Sequence, residues 1–185
     1  MSTDTIRVGL IGAGYIATWH ADALKGTPGV EVTAVCDVSL TAAQGLALGY
    51  GAQAFGSVED LIDANVCDAV HILTPPNLHA DLAQKALRAG VAVLVEKPVA
   101  LSAEEMRAMA STAEDSGTLL AVGHNFLSLP GYERLKAARA AGKIGRISAA
   151  QFNWCFPLAP LRSGPFGLWM LREPKNLFLE LAPHL

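Results

Sequence analysis

A chain of 185 residues is long enough for one well-buried domain and part of a second, but too short for two large ones. Half of it is apolar (51%) and 17% is charged, a balance that suits a sheet covered by helices on both faces. The formal charge of −3 is spread without a basic stripe, which argues against a nucleic-acid partner, and no run of 18 uncharged apolar residues offers a membrane span. The start, Met1 to Arg7, lacks a basic stretch followed by an apolar one, so no secretory leader is expected and the chain reads as cytoplasmic. Cys36, Cys67 and Cys155 are widely spaced, form no C-x-x-C pair and are expected to be buried free thiols.

In chain order, Ile6 to Ile11 reads as a buried strand, and Gly14 to Lys25 as a helix with Ile16, Trp19, Ala23 and Leu24 at helical spacing. Val30 to Cys36 is a strand rich in β-branched residues, followed by a helix from Leu40 to about Tyr50 and a short one capped by Ser57. Asp68 to Leu73 is a third strand, and Asn77 to Ala89 an amphipathic helix stopped by Gly90. Val91 to Val95 is a fourth strand, Ser102 caps a helix running to Ser116, and Thr118 to Val122 is a fifth strand. Strands alternating with helices in this way make βαβ units. The expected fold is therefore α/β, a Rossmann-type, doubly wound and mostly parallel sheet over residues 1–125.

The pattern changes after Asn125. Pro130 to Ala141 is a helix, Gly142 to Gly145 a turn, and Arg146 to Trp154 alternates like the first strand of a sheet buried on one face. Residues 157–175 carry four prolines and read as a loop, and a helix is expected to start near the end. A lone strand leaves an unpaired edge, so residues 126–185 are expected to be the beginning of a truncated α+β substrate domain.

Gly12-Ala13-Gly14-Tyr15-Ile16-Ala17 fits the dinucleotide fingerprint with Ala in its third position. Gly12 permits the tight turn out of the strand, Gly14 removes the Cβ that would block a pyrophosphate, and Ala17 keeps the helix close to the sheet. The helix N-terminus then offers its N–H groups and positive dipole end to the phosphates. Asp37, at the end of the second strand, can accept hydrogen bonds from both ribose hydroxyls and would repel a 2′-phosphate. With no Arg among the four residues that follow, NAD is expected rather than NADP. Two further segments fall at strand exits, where ligands of open parallel sheets bind: Thr74 to His79, and Glu96-Lys97-Pro98.

Together, VGLIGAGYIATWH (8–20), TPPNLHA (74–80) and VEKP (95–98) resemble the Gfo/Idh/MocA oxidoreductases, and so do GKIGRISAAQFNW (142–154) and ELAPHL (180–185). The resemblance implies that Lys97 contacts the reacting hydroxyl and the nicotinamide ribose, with Glu96 orienting it, and that Thr74, Pro75 and Asn77 line the nicotinamide side. Tyr15, Ile16 and His79 join the expected cofactor contacts, and Asn125 the substrate contacts. His184 would take the substrate proton, with Glu180 four residues earlier on the same helix face. The implied activity is hydride transfer between NAD and a secondary alcohol of a sugar, inositol or related polyol, in a homo-oligomer whose small-molecule substrate is walled by a following sheet domain. Two rival readings stand beside it: a non-catalytic dinucleotide sensor or interaction module, which would not need Lys97, and an NADPH-dependent carbonyl or imine reductase. His20 and His71 read as satisfied structural histidines, and no spacing suggests a metal site.

Overall fold

A computed structural model describes residues 5–151, 153, 155 and 168–184, which divide into two compact units between Gly123 and His124. In the first unit, strands β1 (Ile6–Ile11), β2 (Val30–Cys36), β3 (Gln53–Phe55), β4 (Ala69–Ile72), β5 (Ala92–Val95) and β6 (Leu120–Val122) form one sheet. Helices α1 (Tyr15–Lys25), α2 (Leu40–Leu48), α3 (Val58–Asp63), α4 (His79–Arg88) and α5 (Ala103–Ser116) make the crossovers. Every strand pair is parallel and the spatial order is β3-β2-β1-β4-β5-β6. The chain reverses its direction of travel across the sheet between β1 and β4, which opens a crevice at their carboxyl ends.

Alternation along β1 sets the two core layers. Leu10 packs with Val35, Ala17 and Ala21 beneath α1 and α2, while Ile11 packs with Ile72, Val95 and Leu87 beneath α3, α4 and α5. Burial on both faces explains why these strands carry near-continuous apolar runs. Three helix starts are fixed by serine caps: Ser39, Ser57 and Ser102 accept from the N–H groups of Ala42, Asp60 and Glu105. α5 ends on Gly117, whose left-handed backbone (φ 63°) a Cβ would oppose.

Several expectations need correction. β3 was not foreseen, because Gln53-Ala54-Phe55 has no strand pattern of its own and owes its conformation to pairing with Ala34 to Cys36. The helix expected from Asn77 begins at His79, after a 3₁₀ turn over Pro76–Leu78. Of the strand expected over Arg146 to Trp154, the described residues 146–151 adopt no regular structure, and no described strand lies beside them to bond (Phe152 and Trp154 lie outside the described residues). Cys36 and Cys67 are buried, whereas Cys155 is exposed.

The second unit contains a 3₁₀ turn (Asn125–Ser128), α6 (Pro130–Ala140), α7 (Trp169–Arg172), α8 (Pro174–Leu181) and a closing 3₁₀ turn (Ala182–His184). The loop expected through residue 175 is therefore helical from Trp169 onward, with Pro174 at the first turn of α8, where its missing N–H costs nothing. Asn176, buried on α8, donates its side-chain amide to the Trp169 carbonyl at 3.0 Å and ties α8 to α7.

Candidate active site

The β1–α1 turn forms an open cradle. Gly12 has φ +102°, and a Cβ there would lie 3.0 Å from the Leu73 carbonyl, so the turn accepts only glycine. A Cβ on Gly14 would meet nothing within 4 Å, which marks open space over the helix start. Gly14 is the N-cap of α1, no side chain caps it, and no acidic residue stands in the first turn. The N–H groups and the positive dipole end of α1 thus face a space that the protein does not fill.

Asp37 borders this cradle. Its Oδ2 accepts from Ala13 N–H and its Oδ1 from Ser39 N–H, both at 2.8 Å. A carboxylate has about four lone-pair positions, so two stay available for hydroxyl donors. A cleft of about 400 Å³ joins Gly12, Gly14 and Asp37 to Thr74 and Pro75, with Val38, Val58, Leu78 and Leu82 among its walls. The Thr74 hydroxyl is buried and has no hydrogen-bond partner among the described residues. An orphaned hydroxyl beside a phosphate-sized cradle and an apolar slot fits a dinucleotide.

His79, fully buried at the start of α4, sits between two loop carbonyls, with Nε2 2.8 Å from Thr74 O and Nδ1 2.9 Å from Pro98 O. Burial pushes its ring below the ordinary imidazole range against the pull of both carbonyls, and a neutral ring donates to one of them at a time. His79 therefore staples the Thr74 loop to the Lys97–Pro98 turn, whose peptide bond is cis, and acts from behind the cleft.

Glu96 and Lys97 leave β5 at the same edge. Glu96 Oε2 accepts the Lys97 N–H at 3.0 Å, and Oε1 lies 3.0 Å from His20 Nε2. Burial pushes the Glu96 carboxyl up, but the bonds from His20 and Lys97 outweigh it and hold the group below the usual carboxylate range. Behind them, His20 Nδ1 lies 3.0 Å from His71 Nδ1. Each of these two histidines is satisfied, as expected. Sequence reasoning missed that they are satisfied by each other and by the glutamate of the Lys97 turn. No local signal marked this, since His20 lies on α1 and His71 inside β4.

Pro75, Asn77, Tyr15 and Ile16 are exposed at the same carboxyl edge, while Thr74 and Lys97 are half-buried. In the second unit, Asn125 is exposed in the first 3₁₀ turn and Glu180 is half-buried on α8. Glu180 and His184 do not share one α-helix: α8 ends at Leu181, and Pro183, which has no N–H to continue the ladder, lies in the 3₁₀ turn containing His184. Groups of three or more residues able to hold a metal ion are absent among the described residues. No helix among them is long and apolar enough to cross a membrane.

Residues 6–124 match the model of the oxidoreductase family with an NAD-binding Rossmann fold, Gfo/Idh/MocA. The chain is 36% identical to inositol 2-dehydrogenase of Rhizobium meliloti (strain 1021) over 156 residues, 84% of this chain and 47% of that protein. It is 33% identical to 1,5-anhydro-D-fructose reductase of Ensifer adhaerens over 183 residues, 96% of this chain and 54% of the relative. Among solved structures, the WlbA dehydrogenase of Bordetella pertussis, in complex with NADH and UDP-GlcNAcA, superposes with a TM-score of 0.73 at 30% identity, covering 77% of this chain and 44% of that one. The chain spans about half the length of the curated relatives it matches. The glycine cradle, the parallel sheet with its switch between β1 and β4, and a family match over residues 6–124 agree, and the chain belongs to the Gfo/Idh/MocA family of NAD-binding oxidoreductases.

Proposed function

We propose that the protein is an NAD-dependent oxidoreductase that exchanges a hydride with a secondary alcohol of a sugar, inositol or related polyol. The observation that carries this reading is the shared edge. The cradle at Gly12 and Gly14, the Asp37 carboxylate, the orphaned Thr74 hydroxyl and the Glu96–Lys97 turn all lie at the carboxyl ends of β1, β2, β4 and β5. Relatives named as dehydrogenases and reductases fit hydride exchange in either direction, and the substrates in their names are a polyol and a sugar derivative.

When bound, the nicotinamide supplies the hydride acceptor or donor. The protein does the rest. The α1 N-terminus would hold the pyrophosphate, Asp37 would accept from the adenosine ribose and disfavour a 2′-phosphate, and the slot lined by Val38, Val58 and Leu82 would take the adenine ring. Tyr15, Ile16, Thr74, Pro75 and Asn77 border the path toward the nicotinamide. The Lys97 ammonium stabilises the negative charge that develops on the alcohol oxygen as hydride leaves, and Glu96 orients the Lys97 turn. His184 receives the hydroxyl proton, Glu180 stands near it in sequence, and Asn125 offers a substrate contact.

Calorimetry with NAD⁺ and NADP⁺ tests the cofactor half of this reading, with binding expected for both and tighter for NAD⁺. Lys97→Ala tests the chemistry: turnover of polyols by the intact enzyme is expected to fall by about 10²-fold or more, with NAD⁺ affinity changed far less. Full turnover by that variant would leave a dinucleotide-binding module as the better reading.

A further inference from the structure

The histidine pair behind the Lys97 turn has no part in the chemistry derived so far. His71 lies in β4 between buried Val70 and Ile72, His20 projects from α1, and Glu96 leaves β5, so three separate elements bring one polar chain together. The two imidazole rings meet edge-on, with planes at 84° and centroids 5.1 Å apart. Two ring nitrogens 3.0 Å apart need one proton between them.

The bond directions follow from the carboxylate. Glu96 is ionised and can only accept, so His20 Nε2 carries a proton toward Oε1. In a neutral His20 the other nitrogen, Nδ1, is then bare, and His71 donates to it through Nδ1–H. Every bond points one way: His71 to His20, His20 to Glu96 Oε1, with Glu96 Oε2 receiving the Lys97 amide. Burial, with repulsion from His20, pushes the His71 ring down to about 4 despite the pull of Glu96, so His71 is neutral and holds a single ring proton for the bond to His20.

We propose that His20 and His71 are positioning residues for Lys97, forming with Glu96 a one-directional hydrogen-bonded relay that fixes the carboxylate under the Lys97 amide. The role rests on the reading of Lys97 as the group that meets the reacting hydroxyl. The charged and titratable groups facing the relay are His20 from α1, His71 from β4, Glu96 and Lys97 at the exit of β5, and His79 from α4, whose ring feels the Glu96 charge. From the far side, Gly123 closes on the carboxylate: a Cβ there would lie 3.1 Å from Glu96 Oε1.

Nitrogen-15 spectra of the histidine rings in the unliganded chain test the relay directly. At pH 8, His20 is expected to carry its proton on Nε2 and His71 on Nδ1. In His20→Phe, which can neither accept from His71 nor donate to Glu96, the Nδ1–H form of His71 disappears, and hydrogen exchange at the Lys97 amide rises by about tenfold. Gly123→Ala, which presses on the carboxylate without touching either ring, raises the same exchange. His71 protonated on Nε2 in the unsubstituted chain overturns the relay. So does Lys97 exchange that stays constant in both variants. Calorimetry with NAD⁺ on the same sample separates the two ideas: absent heat sinks the cofactor reading and leaves the ring spectra standing, whereas normal heat with the wrong His71 tautomer sinks the relay alone.

Discussion

Asp37 carries two loads at once. One oxygen holds the Ala13 N–H of the cradle turn, the other holds Ser39 N–H at the start of α2, and the remaining lone pairs face the cleft. Asp37→Ala removes two charge-assisted bonds within the protein and the repulsion of a 2′-phosphate together. NAD⁺ affinity is expected to fall by about 10- to 100-fold, and the preference over NADP⁺ to shrink, as measured by calorimetry with each dinucleotide. Asp37, Gly12 and Gly14 were legible in the sequence because the fingerprint and the acidic residue at the end of the second strand sit at fixed spacings along one βαβ unit. The partners of His20 were not. They lie 51 and 76 residues away, and no local pattern records which side chains three different elements bring to one edge.

At the level of elements, the helices start where short polar side chains can cap them. Ser102 accepts from Glu105 N–H at 3.1 Å, while Glu105 Oε2 takes Leu101 N–H at 2.8 Å, so both residues flanking the α5 start are bonded. Ser102→Ala is expected to cost about 1 kcal/mol and to lower the thermal midpoint by about 2–4 °C in a calorimetric scan. β3 lacked any such local signal. Three residues are too few for periodicity to speak, and Gln53 to Phe55 are held extended only because the edge of β2 offers its ladder. The reverse failure occurred at residues 146–151, where alternation was present and the described residues offer no partner strand. Pattern proposes a strand; a neighbouring edge makes one.

For the whole molecule, the buried imidazoles make stability depend on pH. His71 titrates near 4 in the folded chain and near 6.5 when unfolded, and burial pushes His79 in the same direction. Between those values the unfolded chain binds more protons, so stability is complete above about pH 6.5 and is lost as the pH falls toward 4. Urea midpoints measured from pH 7.5 to 4.5 are expected to fall, and His71→Asn to flatten the decline.

Composition and period alone determined the α/β class, the parallel sheet, the glycine cradle and the strand exits at Thr74 and Glu96. A sheet buried on both faces writes its strands as apolar runs, and a phosphate turn writes its glycines at fixed steps. Tertiary structure alone decided the His71–His20–Glu96 chain, the seat of His79 between two loop carbonyls, and the extension of Gln53 to Phe55. Those depend on contacts between segments far apart along the chain, and hydrogen bonds of that kind are set by packing geometry, which no local run of residues encodes.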